Sequence, residues 1–202
     1  EGLHKRGYKS STGKAPMRET LAAAFLRMCK FDPSQPLIDP MCGSGTFVIE
    51  AAEIAVGQAP GKRRAFSFQK FKSFDSNAFE MLLLDQKIIA KVELHFLGYD
   101  RDNGAIKNSR QNAQTANVSD ITNFNHQPIS DLVPLSNQCG LIIFNPPYGS
   151  RIGDKKKLYA LYAKIGTVLK SKFPGWRVGL ITSDRSLAKT TQIKFSFVSE
   201  PV

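Results

Sequence analysis

Cysteine is scarce in this sequence, and the few cysteines present do not form a recognisable cluster. Cys29, Cys42 and Cys139 lie 13 and 97 positions apart, a spacing that matches neither a zinc knuckle nor a disulfide framework. We therefore expect no bound metal and no disulfide scaffold, and a reducing cytoplasm is the simplest location.

Long apolar runs are absent as well. No stretch approaches the roughly 18 apolar residues that would indicate a membrane-spanning helix, and no basic segment leads into an apolar one at the beginning, as in a secretory signal. The sequence therefore argues against a membrane protein. The chain begins at Glu1 rather than Met, which we interpret as the start of a piece of a longer protein.

Acidic residues are few relative to basic ones. The sequence has 28 Lys and Arg against 17 Asp and Glu, a net charge of +11, and such a surplus attracts polyanions. Nucleic acid is therefore the favoured class of partner. With 42% hydrophobic residues over 202 positions, the chain can bury one substantial core and is too short for two ordinary domains.

The pattern along the chain predicts an α/β fold. Residues 1–16 lack apolar periodicity and are expected to form an irregular basic arm, with one domain over 17–202. Apolar positions recur at helical spacing over 17–29, and a second helix is expected over 78–91, after a basic and aromatic insertion at 57–77. Short apolar runs indicate strands, and they lie at 36–39, 92–99, 140–144 and 177–182, with a more polar candidate at 120–129.

A glycine-containing turn follows the first predicted strand, in the sequence LIDPMCGSGTF at 37–47. Gly43 and Gly45 can adopt backbone angles closed to other residues and let the main chain approach a ligand closely. Ser44 and Thr46 can cap the following helix, whose N-terminus would face the ligand. The pattern indicates a nucleotide-type cofactor site formed by Asp39, Pro40, Met41, Cys42, Gly43, Ser44, Gly45, Thr46 and Phe47.

Two acids and one missing glycine favour S-adenosylmethionine over a dinucleotide at this turn. Val48 replaces the third glycine of a dinucleotide fingerprint, and Asp39 can accept a hydrogen bond from the ammonium group of an amino-acid-bearing cofactor. Asp100, followed by Arg101 in GYDRD, ends the second predicted strand, where its carboxylate can accept from both ribose hydroxyls. Asp100 lies 55 positions beyond Gly45, well past the roughly 20 of a compact dinucleotide unit.

The tetrad Asn145, Pro146, Pro147 and Tyr148 follows another buried apolar strand, and its two prolines fix the backbone. An exocyclic base amine is a poor nucleophile because its lone pair is delocalised into the ring. Two fixed acceptors for its N–H groups, the Asn145 side-chain oxygen and the Pro146 carbonyl, would localise that pair toward an incoming methyl group. Tyr148 offers a ring on which a base can stack. These four are the candidate catalytic residues, and Asn145 also borders the cofactor.

The motifs DPMCGSGTF, GYDRD and NPPYG, preceded by LHKRGYK and APMRETLAAAFL, closely resemble an RNA methylase family from about Leu3 to about Ser186. That family includes the bacterial 23S rRNA guanine-N2 methyltransferases, whose genes often carry the name N6-adenine-specific DNA methylase. The resemblance implies a Rossmann-like class I S-adenosylmethionine-dependent methyltransferase fold, with a mainly parallel sheet, helices on both faces and truncated ends. It also implies methylation of an exocyclic base amine, guanine N2 of 23S rRNA in the first place, and a THUMP RNA-binding domain upstream.

The sequence departs from the family pattern in two places. The family usually carries an acid that contacts the cofactor adenine where Gln127 and Pro128 stand here, so we expect main-chain groups or Asp131 to take that role. The last strand pair typical of such folds is short or missing before Val202, which we interpret as truncation.

Basic and aromatic residues are concentrated in the arm and in the insertion, a mixture that suits backbone phosphates and stacked bases. The expected RNA contacts in and beyond the arm are Lys5, Arg6, Tyr8, Lys9, Lys14, Arg18 and Arg151. For the insertion, RNA binding and a solvated face with rings tucked into the core are equal alternatives. Its residues of this kind are Lys62, Arg63, Arg64, Phe66, Phe68, Lys70, Phe71 and Lys72.

Three other functions stay open at this point. A DNA adenine-N6 methyltransferase would use the same NPPY chemistry on another base. A non-catalytic RNA-binding or assembly protein would keep the fold without turnover, although Asn145 and Asp39 are intact. Protein glutamine methylation shares the NPPY motif and is disfavoured by the basic charge.

Overall fold

The computed structural model describes residues 5–9, 17–84, 96–135, 137–148 and 155–196. In chain order the helices are α1 (Glu19–Met28), α2 (Thr46–Ala55), α3 (Ser76–Leu84), α4 (Asn103–Thr115), α5 (Lys155–Lys172) and α6 (Arg185–Thr190). The strands are β1 (Leu37–Asp39), β2 (Phe96–Asp100), β3 (Thr122–His126), β4 (Leu141–Phe144) and β5 (Arg177–Leu180). Short 3-10 helices lie at Ser67–Lys70, Ser119–Ile121 and Ile129–Asp131.

The five strands form one parallel sheet in the order β3-β2-β1-β4-β5. The central strand β1 pairs with β2 on one side and with β4 on the other, so that Ile38 lies opposite both Leu97 and Ile142. The strand order reverses between β1 and β4, and in open α/β sheets ligands bind at the carboxyl ends of the strands beside such a reversal. The topology therefore places the glycine turn after β1 next to the NPPY segment after β4.

Alternate strand residues enter two separate cores, as the period of two in a strand requires. Leu37, Phe96 and Ile143 belong to the core shared with α1, α2 and α4. Ile38 and Ile142 belong to the core formed mainly with α5. Strands buried on both faces are continuously apolar, which is why the short runs at 36–39 and 140–144 predicted strands correctly.

The predicted elements agree with the structure where it can be compared. The helix expected over 17–29 is α1, and all five predicted strands are present, although 92–95 lie outside the described residues. The helix expected over 78–91 begins slightly earlier, at Ser76, and its part beyond residue 84 also lies outside them.

Candidate cofactor and amine site

The glycine turn joins β1 to α2 and holds both of its glycines in left-handed backbone angles. Gly43 has φ +54° and Gly45, the residue before α2, has φ +80°. A Cβ on Gly45 would lie 2.9 Å from the ring of Phe124, whereas a Cβ on Gly43 would meet no atom of the described chain within 4 Å. Gly45 therefore allows the turn to pack on the core, and Gly43 leaves open space beside the main chain.

The expected side-chain cap on α2 is wrong. Within the described residues no side chain caps the helix, which begins at Thr46, and the hydroxyls of Ser44 and Thr46 lie 3.3 Å from each other instead. The left-handed Gly45 carries the chain into the helix without needing a cap. The first N–H groups of α2 therefore remain available to a ligand.

Asp39 is a buried carboxylate at the end of β1. The residue is only 2% exposed, and its Oδ1 accepts a hydrogen bond from the Met41 main-chain N–H at 3.0 Å. Burial raises the pKa of Asp39 well above its ordinary value; the Met41 N–H opposes this shift, and the neighbouring Asp100 carboxylate adds to it. A cation placed beside such a group stabilises its charged form, which fits an incoming ammonium.

Asp100 organises the turn from the neighbouring strand. Its Oδ2 accepts from the Gly43 N–H at 3.0 Å and its Oδ1 accepts from the Asp102 N–H at 2.9 Å. Asp102 in turn caps α4 by accepting from the N–H groups of Gly104 and Ala105. The Asp100 carboxylate thus ties the glycine turn to the beginning of α4, and its contact with a ribose remains a prediction.

A cavity of about 380 Å³ lies between the glycine turn, the beginning of α4 and the end of β4. Its volume falls within the roughly 300 to 1,000 Å³ that is usual for small-molecule sites. The predicted site residues that line it are Asp39, Met41, Cys42, Gly43, Ser44, Thr46, Phe47 and Asn145. The lining does not include the predicted cofactor residues Pro40, Gly45, Asp100 and Arg101. It also lacks Asp131, which was expected as a possible contact of the adenine, and Gln127 and Pro128, which stand where the family carries an acid.

Five lining residues were missed by the sequence analysis: Met17, Asp102, Gly104, Ala105 and Asn108. Asp102 is the last residue of GYDRD and caps α4, and the next three belong to the beginning of α4 itself. A helix that follows a parallel strand begins at the ligand edge of the sheet, so this positional rule could have identified them. Met17 precedes α1, and no strand end in its vicinity marks it as part of a site.

Asn145 follows β4 directly and lines the cavity. Its side-chain oxygen is buried and has no hydrogen-bond partner among the described residues. Buried polar atoms in proteins almost always have a partner. This oxygen is therefore an acceptor available to a donor from outside the described residues.

The segment after Asn145 is supported from behind by α5. The Tyr162 hydroxyl lies 3.4 Å from the carbonyl oxygen of Pro147, and the Tyr162 side chain is fully buried. Pro146 is buried, and Tyr148 is half-buried against the core on the α5 face. The tetrad is thus held by its prolines and by packing, while the predicted stacking role of Tyr148 remains untested.

The arm does not present all of its residues to RNA as expected. Arg6 and Tyr8 converge on Glu50 of α2, at 3.4 Å from Oε2 and 3.3 Å from Oε1 respectively. The expectation that Tyr8 stacks on RNA is corrected, because its ring is fully buried. Burial raises the pKa of Glu50 to about 7 against the opposing effect of Arg6, and burial followed by the Glu50 charge raises that of Tyr8.

Lys9 is also engaged inside the molecule. Its ammonium lies 3.5 Å from the Glu19 carboxylate of α1 and donates to the Met17 carbonyl at 2.5 Å. Burial lowers the pKa of Lys9, partly offset by Glu19. The charges of Arg6 and Lys9 are therefore paired with buried acids, whereas Lys5 and Arg18 are exposed, and Lys14 and Arg151 lie outside the described residues.

A signal for these internal pairs was present in the sequence. Glu50 and Glu53 interrupt the apolar run VIEAAEIA of α2, and both are buried. Glu53 is paired with Arg63 of the insertion at 2.5 Å. Two acids on the buried face of a helix require basic partners, and the nearest basic segments are the arm and the insertion.

Comparison with known proteins identifies the family. Residues 6–199 match the RMKL-like methyltransferase domain family. The chain belongs to this family. The membership confirms the resemblance seen in the motifs, and the parallel sheet with helices on both faces is the Rossmann-like fold of S-adenosylmethionine-dependent methyltransferases.

Similar proteins agree with this assignment. The chain is 38% identical over 200 residues to the ribosomal RNA large subunit methyltransferase K/L of Vibrio parahaemolyticus, covering 96% of the chain and 28% of that protein. A structure from Listeria monocytogenes, named a predicted N6-adenine-specific DNA methylase, has a TM-score of 0.87 at 33% identity. The match covers 97% of this chain and 52% of the Listeria chain. SMU.472, solved in complex with SAH, has a TM-score of 0.86 at 30% identity, with 96% of this chain and 51% of that one covered.

The chain thus spans about a quarter of the curated relative and about half of the solved structures. In the part that the structure describes, no helix is long and apolar enough to cross a membrane. The same residues contain no group of three or more His, Cys, Asp or Glu side chains that could hold a metal ion.

Proposed function

We propose that this chain is the catalytic domain of an S-adenosylmethionine-dependent RNA methyltransferase that acts on an exocyclic base amine, specifically guanine N2 of large-subunit ribosomal RNA, in the cytoplasm. The observation that carries the proposal is the buried Asn145 oxygen, which lines the cavity beside the glycine turn and lacks a partner among the described residues. An amine donor from the substrate would satisfy it.

Three features of the cavity and its borders suit S-adenosylmethionine. Asp39 supplies a buried carboxylate for an ammonium group, and Gly43 leaves open space where another residue would have a side chain. The uncapped beginning of α2 offers N–H groups to the polar part of the ligand. When bound, S-adenosylmethionine supplies an electrophilic methyl group on a sulfonium centre.

The tetrad would prepare the amine for transfer. Asn145 and the Pro146 carbonyl would each accept one N–H, which localises the nitrogen lone pair without a covalent intermediate. The prolines and the contact of Tyr162 with Pro147 hold these acceptors in advance, so that they need not reorganise as charge develops on the nitrogen. Tyr148 would stack on the base beside them.

The names of the relatives and the charge of the chain support RNA as substrate. The curated relative is a large-subunit ribosomal RNA methyltransferase, and the net charge of +11 suits a polyanion. Adenine N6 is the second candidate, because the Listeria structure carries that name at 33% identity and the NPPY chemistry does not distinguish the two amines.

Replacement of Asn145 by Ala tests the proposal. We expect single-turnover methylation of 23S rRNA to fall by roughly 10² to 10³, the usual loss for one preorganised hydrogen bond in a catalytic site. SAH affinity measured by calorimetry should change little, since the acceptor faces the substrate amine. Asn145→Asp keeps an acceptor but adds charge near the sulfonium, and partial activity is expected.

Tyr148→Phe serves as the matched control, because it retains the ring and should remain active. Mass spectrometry of the digested product separates methylated guanine from methylated adenine. Methylation by Asn145→Ala at the wild-type rate would overturn the amine-polarising role, and N6-methyladenine on duplex DNA would replace guanine in RNA as the substrate.

A further inference from the structure

The phenylalanines of the insertion and of α3 divide into an inner group, whose rings contact one another although Phe68 is still 40% exposed, and one outer ring. Four of them pack on one another, with ring centroids 5.2 to 6.4 Å apart: Phe66, Phe68, Phe74 and Phe79. The Arg64 guanidinium lies over the Phe66 ring at 5.1 Å from its centroid. These rings pack on one another and belong to neither of the two cores that flank the sheet, so both alternatives given for the insertion remain open.

Phe71 is the outer ring. Its side chain is 65% exposed, and in the described part of the chain it makes no ring contact with the inner group. Its backbone is nevertheless held on both sides, because its N–H donates to the Phe68 carbonyl and its carbonyl accepts from the Phe74 N–H, both at 3.0 Å. An exposed phenyl ring on a fixed backbone loses little conformational freedom when it binds a partner.

Lys70 and Lys72 flank this ring and are exposed. Within the described residues no carboxylate pairs with either ammonium, in contrast to Arg63, which is engaged by Glu53. Lysine is depleted from the buried centres of protein interfaces, whereas a ring between cations suits a nucleic-acid strand, whose bases stack and whose phosphates are neutralised.

We propose that Lys70, Phe71 and Lys72 form a contact for single-stranded RNA, separate from the cavity, with Phe71 stacking on a base and the two lysines facing phosphates. The inference deepens the proposed function and rests on it for the nature of the partner. The inner rings and the Arg64 contact pack in the same segment and support its backbone. The chain's surplus positive charge favours the same class of partner.

The first test separates stacking from general apolar contact. Binding of a labelled single-stranded RNA of 12 nucleotides is measured by fluorescence anisotropy for Phe71→Ala, Phe71→Leu and Phe71→Trp. Loss of one stacked base should weaken binding roughly 5-fold to 100-fold in the Ala and Leu variants, and the Trp variant should bind at least as well as wild type. Thermal unfolding should be unchanged because the side chain is exposed.

The second test concerns the lysines. Loss of two contacts to single-strand phosphates should reduce the slope of log affinity against log salt concentration by about 1.4 in Lys70→Gln/Lys72→Gln. Lys107→Gln/Lys164→Gln removes the same charge from exposed positions on α4 and α5 and should leave the slope near the wild-type value. Phe71→Ala should weaken binding without changing the slope.

Three results would overturn the inference. One is wild-type RNA affinity in Phe71→Ala, and another is an equal change of slope in both lysine pairs. The third is self-association by light scattering that is lost on replacing Phe71 or the exposed Met81 and Leu82, which would indicate a protein interface instead. If the wild-type chain methylates rRNA and Phe71→Ala binds normally, only this inference fails; if the wild type binds no SAH, the proposed function fails.

Discussion

Gly43 and Gly45 share a left-handed backbone but stand in different surroundings. Gly45 faces the core, where Phe124 and Ser109 leave no room for a Cβ, and Gly43 faces the cavity, where there is room. The same loss of glycine should therefore disturb packing at one position and the ligand site at the other. The backbone strain itself is common to both, at roughly 1 to 2 kcal/mol for a non-glycine residue.

We predict that Gly45→Ala lowers the free energy of unfolding by more than Gly43→Ala does. Overpacking typically adds about 1 to 3 kcal/mol to the backbone strain, because the Phe124 ring must move. Gly43→Ala should instead weaken SAH binding, since its methyl group enters the cavity. Urea unfolding and calorimetry of the two variants measure this, and equal losses of stability would show that Gly45 does not contact the core as closely as described.

The site residues at strand ends were predictable from the sequence, whereas the partners of the arm were not. Asp39 ends one buried strand and Asn145 follows another, and the carboxyl ends of parallel strands lie at the same edge of the sheet. Tyr8 was misjudged because its partner Glu50 lies 42 positions away. A local sequence pattern does not predict which of several basic segments will pair with a given buried acid.

At the scale of elements, strands buried on both faces were the easiest to predict. The strand β3 is more polar, yet Phe124 in its centre packs beside Gly45 and Gly98, which explains why one apolar residue suffices to hold it against the sheet. The short 3-10 helix at Ser67–Lys70 in the insertion was not predicted, because it lies where the rings around Phe68 pack together and has no apolar periodicity of its own.

The arm is joined to α1 and α2 by two buried ion pairs, and one of the two also contacts a residue of the cavity wall. Lys9 contacts Glu19 and also the carbonyl of Met17, a residue of the cavity wall. Arg6 contacts Glu50, which is not part of that wall. Variants of the two pairs can therefore distinguish loss of the arm's attachment from displacement of the cavity wall.

We predict that Lys9→Met and Arg6→Met both destabilise the domain, by up to roughly 3 to 5 kcal/mol, as loss of one partner of a buried pair does. Only Lys9→Met should also weaken SAH binding, by about tenfold or 1.4 kcal/mol, because Met17 loses its anchor. Lys9→Arg should restore part of that affinity. If Arg6→Met weakened SAH binding as much, the effect would be a general one of the arm and not a positioning role of Lys9.

At the scale of the whole molecule, the internal pairs leave the net charge unchanged. Each of them joins one cation to one buried glutamate, so the full surplus of +11 lies on the remaining residues. The burial of these acids has a second consequence. Burial raises the pKa values of Asp39, Glu50 and Glu53, so these three groups make the folded domain less stable as pH rises. Asp32 and Asp184, whose pKa values are lowered chiefly by hydrogen bonds from Ser34 and Ser186, act in the opposite direction.

The pKa of Glu50 rises from 4.5 to about 7 on folding, so between these pH values the folded state holds a proton that the unfolded state has lost. The free energy of unfolding therefore decreases as pH rises through this window. A shift of this size corresponds to about 3 kcal/mol.

Glu50→Gln cannot titrate but keeps an oxygen for the Tyr8 hydroxyl. We predict that the stability of wild type relative to Glu50→Gln, from urea unfolding, falls by about 3 kcal/mol between about pH 4.5 and pH 8. Asp39 titrates in the same direction in both proteins and cancels in the difference, which therefore reports Glu50 together with its coupling to Glu53. If the stability difference between wild type and Glu50→Gln stayed constant with pH, Arg6 would keep Glu50 ionised over the whole range. The arm would then be held by an ion pair at every pH tested, and Glu50 would not be protonated at the lower values.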